Sequence, residues 1–418
     1  MLLDIFQPQQ GSRIFSGSMI MLLGSALVST INFGYNVAMA RALGPAQFGH
    51  VSAVATLLML ASAISLSFQL VCAKFVARNH SSGGKQSVYS NLMSRAWTVA
   101  VIVSAGLLFG SRAIAELLRL PSAWLIVLLA IGIAFSVPLG VKRGALQGLC
   151  SFPALTGNFI LESLVKLLSA LVLVGMGYGI FGAVGAICAS VMAAFLFSPI
   201  RFPRTQVETA ISPASFREGM QAIVFFAGMV VINNIDILLV KSFFPPAEAG
   251  LYAAVALFGR LLYFAAWSII SAMFPISAAA SDERPGQVLK TPLLLVGGLS
   301  ALFIGSLVLL PRFLVGLVLG RDFAEADSLL AIYATATAIY SVSVVLMAYE
   351  MSRKIANTGW LQLLFSGLMV VGISLFHQSL HQVIMVQIVL MSTLLLTVSL
   401  PFLRSMRRAK PETVREAA

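Results

Sequence analysis

In Ile232–Pro275, INNIDILLVKSFFPPAEAGLYAAVALFGRLLYFAAWSIISAMFP, an acid and a base stand inside apolar sequence. Asp236 can hold a proton or a cation there, and Arg260 can grip a carboxylate or phosphate with two parallel N–H bonds. The plainer alternative is an ion pair between the two. By helical rise, Asp236 lies roughly 7 Å and Arg260 about 15 Å from the outer ends of their segments. A second pair, Glu162 and Lys166, has the four-residue spacing and acid-first order that favour neutralisation along one helix face. If they are not paired with each other, the lysine would attract an anionic headgroup. Asn32, Asn36, Asn233 and Asn234 carry amides suited either to sugar hydroxyls or to bonds between helices. Gln69 and Tyr263 are weaker candidates of the same kind. Lys142 and Arg143, at the inner mouth of a fourth apolar segment, would meet a phosphate on entry or simply set topology.

The segments that must position these groups are membrane spans. The chain has 418 residues, 59% hydrophobic and 10% charged, with a mean hydropathy of +0.95. Soluble domains are about 25% charged. Apolar runs recur along the whole length, each able to cross roughly 30 Å of hydrocarbon. The expected spans are 14–40, 48–73, 88–110, 122–141, 153–176, 180–200, 217–241, 249–275, 289–311, 326–349, 357–377 and 381–403. They predict an all-α polytopic membrane protein of about twelve transmembrane helices joined by short connections. The first run is too long for the core of a signal peptide, so Ala38-Met39-Ala40 is read as part of a retained helix.

The net charge of +12 does not indicate nucleic-acid binding, because the basic residues are scattered through short loops. Lysine and arginine are about three times as frequent on one side as on the other, which predicts both termini on the inner side. Cys72, Cys150 and Cys188 lie in or beside apolar runs without metal-ligand or CxxC spacing, and read as packing residues. Three superficial motifs carry no function. Gly177–Gly182 matches GxGxxG but joins two spans rather than following a strand. Asn79-His80-Ser81 falls on the inner side. His377 and His381 are too few for a metal site. No cofactor is expected, apart from a coupling proton or sodium ion.

The chain also repeats. Laying Pro45 on Pro246 matches Ala46, Gly49, Ala53, Val54 and Ala55 with Ala247, Gly250, Ala254, Val255 and Ala256, and Asn32 with Asn233. The first two spans thereby map onto the seventh and eighth. A six-span offset preserves orientation, so the expected architecture is two parallel six-helix bundles, residues 1–205 and 206–418, with substrate sites between the repeats. The repeat is unequal in charge: Tyr35 lies opposite Asp236, and Leu58 or Leu60 opposite Arg260.

The span with Asn233, Asp236 and Leu239, followed by Ala249-Gly250-Leu251-Tyr252-Ala253-Ala254, Arg260 and Phe274-Pro275, resembles the second half of Wzx-type polysaccharide and O-antigen flippases. These belong to the multidrug/oligosaccharidyl-lipid/polysaccharide (MOP) exporter superfamily. Arg41–Gly49, Arg143–Gly148 and Leu319–Phe323 resemble the same family. The resemblance implies a V-shaped pair of bundles in the cell inner membrane. It implies flipping of a lipid-linked oligosaccharide, usually on undecaprenyl pyrophosphate, for lipopolysaccharide or exopolysaccharide synthesis, with a polymerase or glycosyltransferases as partners. Two alternatives differ in class. A drug or organic-cation antiporter of the MATE type would want acids in its first half, where Glu162 stands beside Lys166. A membrane polysaccharide polymerase or ligase would want a large outer loop, and the longest outer connection here is PRFLVGLVLGRDFAE. The expectation is therefore a transporter, not an enzyme.

Overall fold

The computed structural model describes residues 8–79, 81–198, 200, 202, 220–279, 285–353 and 358–409, and every regular element among them is helical. Among the described residues, ten helices are long and apolar enough to cross a membrane. The first, α1 (Pro8–Arg78), contains both of the first two expected spans. The expected loop at 41–47 is instead a kink at Gly44, whose φ of 71° and ψ of 173° interrupt an otherwise continuous helix. The left-handed value suits glycine, and Pro45 lacks the N–H and the room to continue the preceding turn.

Next come α2 (Ser82–Phe109), the short α3 (Ser111–Leu117), α4 (Trp124–Gly148), α5 (Phe152–Gly175) and α6 (Gly179–Leu196). Here α4 runs beyond the expected boundary at 141, so Lys142 and Arg143 are helical residues rather than loop residues. The α5–α6 turn uses positive φ at Gly177 and Gly179, as a tight hairpin requires. Cys72 and Cys188 are buried, whereas Cys150 is exposed and so is not a packing residue.

The seventh expected span is broken. α7 (Met220–Ile232) stops and α8 (Ile235–Phe243) restarts after Asn233 and Asn234. α9 (Pro246–Ala279) begins at Pro246, the residue that the repeat matches with Pro45. The remainder is α10 (Pro285–Leu309), α11 (Pro311–Val318), a 3-10 turn (Arg321–Ala326), α12 (Asp327–Arg353), α13 (Leu361–Leu375) and α14 (Leu380–Ala409). The outer connection expected after the ninth span is thus largely α11. At fifteen residues, α13 is shorter than a typical span.

Packing divides the chain into two units: Met1–Leu43 with His50–Ala227, and Gly44–Gly49 with Gly228–Ala418. In the first, Phe68, Val71, Cys72 and Phe75 of α1 bury against Leu92 and Ala96 of α2 and Val137, Val141 and Ala145 of α4. α1 and α4 approach closely because Gly140 and Gly144 present no side chain. A Cβ on either would lie 2.2 Å from the Ser65 carbonyl oxygen or 2.5 Å from that of Gln69. In the second unit α12 is central, packed by α9, α10 and α14. Phe109, Leu302 and Leu309 are 93%, 75% and 79% exposed, which is tolerable only against lipid.

Candidate functional site

Each unit holds a polar cluster among its apolar helices. In the second unit the cluster forms at the break between α7 and α8. An interrupted helix leaves carbonyls without their usual donors. The two asparagines at the break supply them: Asn233 Nδ2 donates to Met229 O at 2.8 Å, and Asn234 Nδ2 to Val230 O at 2.7 Å. The amide oxygen Asn234 Oδ1 is left to accept from Arg260 Nη2 at 2.9 Å. Arg260 thus bonds an amide rather than the Asp236 carboxylate, so the alternative of a direct Asp236–Arg260 ion pair is not what forms.

Asp236 lies in the first turn of α8, not near the end of a span, and is 3% exposed. Its Oδ2 accepts from Tyr252 Oη of α9 at 2.8 Å, Tyr333 Oη of α12 at 3.0 Å and Gln387 Nε2 of α14 at 3.0 Å. Gln387 also donates to Tyr252 Oη. The two tyrosine rings meet edge to face at 5.6 Å. Neutral donors on three helices thus hold the carboxylate. The other oxygen, Oδ1, is buried without a hydrogen-bond partner. Asp236 borders a cavity of about 30 Å³ that Asn233, Tyr333, Thr337, Tyr340 and Gln387 also line. That volume suits one water or one small ion.

The first unit's cluster joins α1, α4, α5 and α6. Glu162 pairs with the Arg143 guanidinium, not with Lys166 four residues on. Arg143 Nε also donates to Asn158 Oδ1 at 2.8 Å, and its guanidinium lies 3.9 Å from the Phe159 ring centre. Asn158 Nδ2 in turn donates to Ala194 O at 2.7 Å. Lys166 reaches the other way: it donates to Asn32 Oδ1 and sits 5.1 Å above the Tyr35 ring. Asn36 Nδ2 donates to Asn32 O at 2.8 Å. Lys142 caps Phe195 O at 2.6 Å and lies 4.1 Å over its ring. One carboxylate therefore accompanies three cations, and among the described residues neither lysine meets a carboxylate at ion-pair distance.

Of the residues the sequence singles out, Asp236, Asn233, Asn234 and Arg260 converge in the second unit. Glu162, Arg143, Lys166, Asn32 and Asn36 converge in the first, with Lys142 beside them. Sequence reasoning missed Asn158, Tyr333 and Gln387. Asn158 was detectable, being on the helix face of Glu162 and Lys166 one turn earlier. Tyr333 and Gln387 carried only the weak signal of a polar residue in an apolar span. Gln69 bonds Gln147 between α1 and α4 at 3.0 Å, and the buried Tyr263 hydroxyl has no partner. His377 stacks on Phe243 at 4.2 Å, a packing role. Among the described residues no group of three or more His, Cys, Asp or Glu side chains could hold a metal.

Residues 14–281 match the model of the polysaccharide biosynthesis protein family. No curated protein matches the chain in sequence. Among solved structures, the chain is similar to an inward-facing multidrug resistance MATE family transporter of the MOP superfamily. That match has TM-score 0.74 and 14% identity, over 91% of this chain and 94% of that one. It is similar also to the lipid II flippase MurJ in an inward closed conformation, at TM-score 0.72 and 13% identity over 93% and 87%. A MOP superfamily transporter from Pyrococcus furiosus matches at TM-score 0.59 and 16% identity over 95% of both chains. With the apolar helices and the family match covering more than half of its length, this chain belongs to the polysaccharide biosynthesis protein family and is a multi-pass membrane protein with the MATE- and MurJ-like fold of the MOP superfamily.

Proposed function

We propose that the protein is a flippase that moves a lipid-linked oligosaccharide, carried on undecaprenyl pyrophosphate, across the cell inner membrane for surface polysaccharide synthesis. The observation that carries this is the cationic excess in the first unit. Lys142 and Lys166 are held by a carbonyl and an amide, neutral acceptors that an anionic headgroup can displace. A charge-assisted bond to phosphate is stronger than either. The sugar's hydroxyls find amides in Asn32, Asn36 and Asn158. Burying such a headgroup in bare hydrocarbon is prohibitive, so a polar route lowers the barrier while the lipid tail stays in the bilayer. Both termini lie inside, the two repeats alternate access, and the glycan passes to a polymerase or to glycosyltransferases.

Asp236 supports a second element, coupling to a proton or sodium ion. Its Oδ1 is a buried acceptor with no hydrogen-bond partner, beside a cavity of single-ion size. A cation there would meet a carboxylate whose hydrogen bonds all come from neutral donors.

Deleting the gene tests the reading. A lipid-linked glycan should accumulate in the inner leaflet, and restoring the gene should clear it. Gained drug sensitivity without accumulation would establish the antiporter reading instead. Shortened surface glycan without a lipid-linked precursor would point to a polymerase or ligase.

A further inference from the structure

Asn158, Glu162 and Lys166 stand on one face of α5, each one turn, about 6 Å, beyond the last. Arg143 reaches the first two from α4, and its guanidinium is enclosed on three sides. Asn158 Oδ1 holds Nε at 2.8 Å, the Phe159 ring centre lies 3.9 Å from the guanidinium carbon, and the Glu162 carboxylate takes Nη2. Of the two partners Glu162 is the more exposed, at 26% against 12%. An incoming anion therefore meets the carboxylate at the place where it would itself bind the guanidinium.

Glu162 has a second cation within reach. Lys166 follows it by four residues, the spacing at which an acid and a lysine on one helix can meet. Lys166 instead donates to the Asn32 amide of α1, a neutral acceptor. A carboxylate stripped of its arginine is costly to leave unpaired among apolar helices, and Lys166 can turn to receive it. The charges also balance. Lys142, Arg143 and Lys166 against Glu162 leave two net positive charges, and a pyrophosphate esterified at both ends carries two negative ones.

We infer that Glu162 is a built-in stand-in for the substrate's headgroup. It occupies Arg143 in the empty protein, yields it to the pyrophosphate by turning to Lys166, and reclaims it to drive the headgroup off. One anion exchanges for another, so neither the guanidinium nor the carboxylate is left bare. The inference rests on the flippase reading and adds to it the residue that sets release.

Two measurements test this: binding of radiolabelled farnesyl pyrophosphate to the full-length protein in detergent, and surface glycan in complemented deletion cells. Glu162→Gln keeps an acceptor for Arg143 Nη2 and removes the competing charge. It should bind the probe about tenfold more tightly than wild type and export glycan about tenfold more slowly, at wild-type Tm. Loss of a side chain that only joins helices would weaken both. Glu162→Asp draws the carboxylate back from Arg143 and should shift binding the same way by less; it serves as the second probe if Glu162→Gln folds poorly. Equal or weaker binding by Glu162→Gln would overturn the inference and leave the flippase reading standing. So would unimpaired export from that variant. If neither wild type nor variant bound the probe, the flippase reading itself would fail, and the inference with it.

Discussion

The two polar clusters include matched positions of the sequence repeat and differ in charge. In the first unit α1 runs unbroken through Tyr35, whose hydroxyl donates to Ala183 O at 3.1 Å. In the second the helix breaks, and the matching position is Asp236, an acceptor drawing donors from α9, α12 and α14. The first cluster has cations in excess of carboxylates. The second has a carboxylate whose nearest bonds all come from neutral groups. Duplication kept the helices and the turn between them. It left free the few positions that decide which charge a unit can host.

Removing the carboxylate should break the comparison most severely. Asp236→Leu leaves two tyrosine hydroxyls and the Gln387 amide with one acceptor fewer. Each buried donor left unsatisfied costs roughly 1–3 kcal/mol. A large fall in Tm in detergent, with loss of export in complemented cells, is expected. A variant of near wild-type Tm would show that the donors find other partners and that the cluster is not held by the acid.

The next effect tests the shared scaffold. Gly49 and Gly250, matched in the repeat, make reciprocal contacts within the second unit. A Cβ on Gly250 would lie 1.8 Å from Pro45 O, and one on Gly49 would lie 2.8 Å from Pro246 O. Gly44 has open space, but its φ of 71° strains any other residue. Overpacking costs about 1–3 kcal/mol, and a left-handed non-glycine about 1–2 kcal/mol. Gly250→Ala should therefore lower Tm most, then Gly49→Ala, then Gly44→Ala. Equal losses at all three would mean that the Pro–Gly match does not report close packing.

The origin of that match was hidden in the sequence, although the match itself was plain. Apolar runs, charge asymmetry and the Pro–Gly repeat are local signals, and they reveal the spans, the turn at Pro246 and the residues able to do chemistry. Pairings are not local. Glu162 has a lysine one turn away, yet bonds Arg143, because a neighbouring helix brings a guanidinium that also binds Asn158 and stacks on Phe159. The break at Asn233 and Asn234 carries no proline or glycine. It becomes intelligible only when both amides are seen replacing the lost backbone donors. Tyr333 and Gln387 were invisible as partners because they lie about 100 and 150 residues from Asp236 and meet it only through packing, where closing so long a loop adds little entropy cost.

A smaller effect separates charge from structure in the first unit. Lys166→Gln keeps a donor for Asn32 Oδ1 and removes the charge. Losing one charge-assisted bond to a headgroup, about 1.5–3 kcal/mol, should slow glycan export at least tenfold with little change in Tm. Lys166→Arg should retain most activity. Unchanged export in Lys166→Gln would move the lysine into the scaffold and leave the cationic excess without a role.

The smallest expected change returns to the paired slot. Tyr35→Phe removes one buried hydroxyl and leaves a single backbone carbonyl, Ala183 O, to find another donor. The loss should be about 1 kcal/mol, far below that of Asp236→Leu at the matching position. The ring that lies under Lys166 survives in phenylalanine, so the lysine keeps its aromatic neighbour and export should persist. If Tyr35→Phe instead stopped export at unchanged Tm, the hydroxyl itself would act in transport. The two matched positions would then both be working sites, and the division between a structural slot and a chemical one would fail.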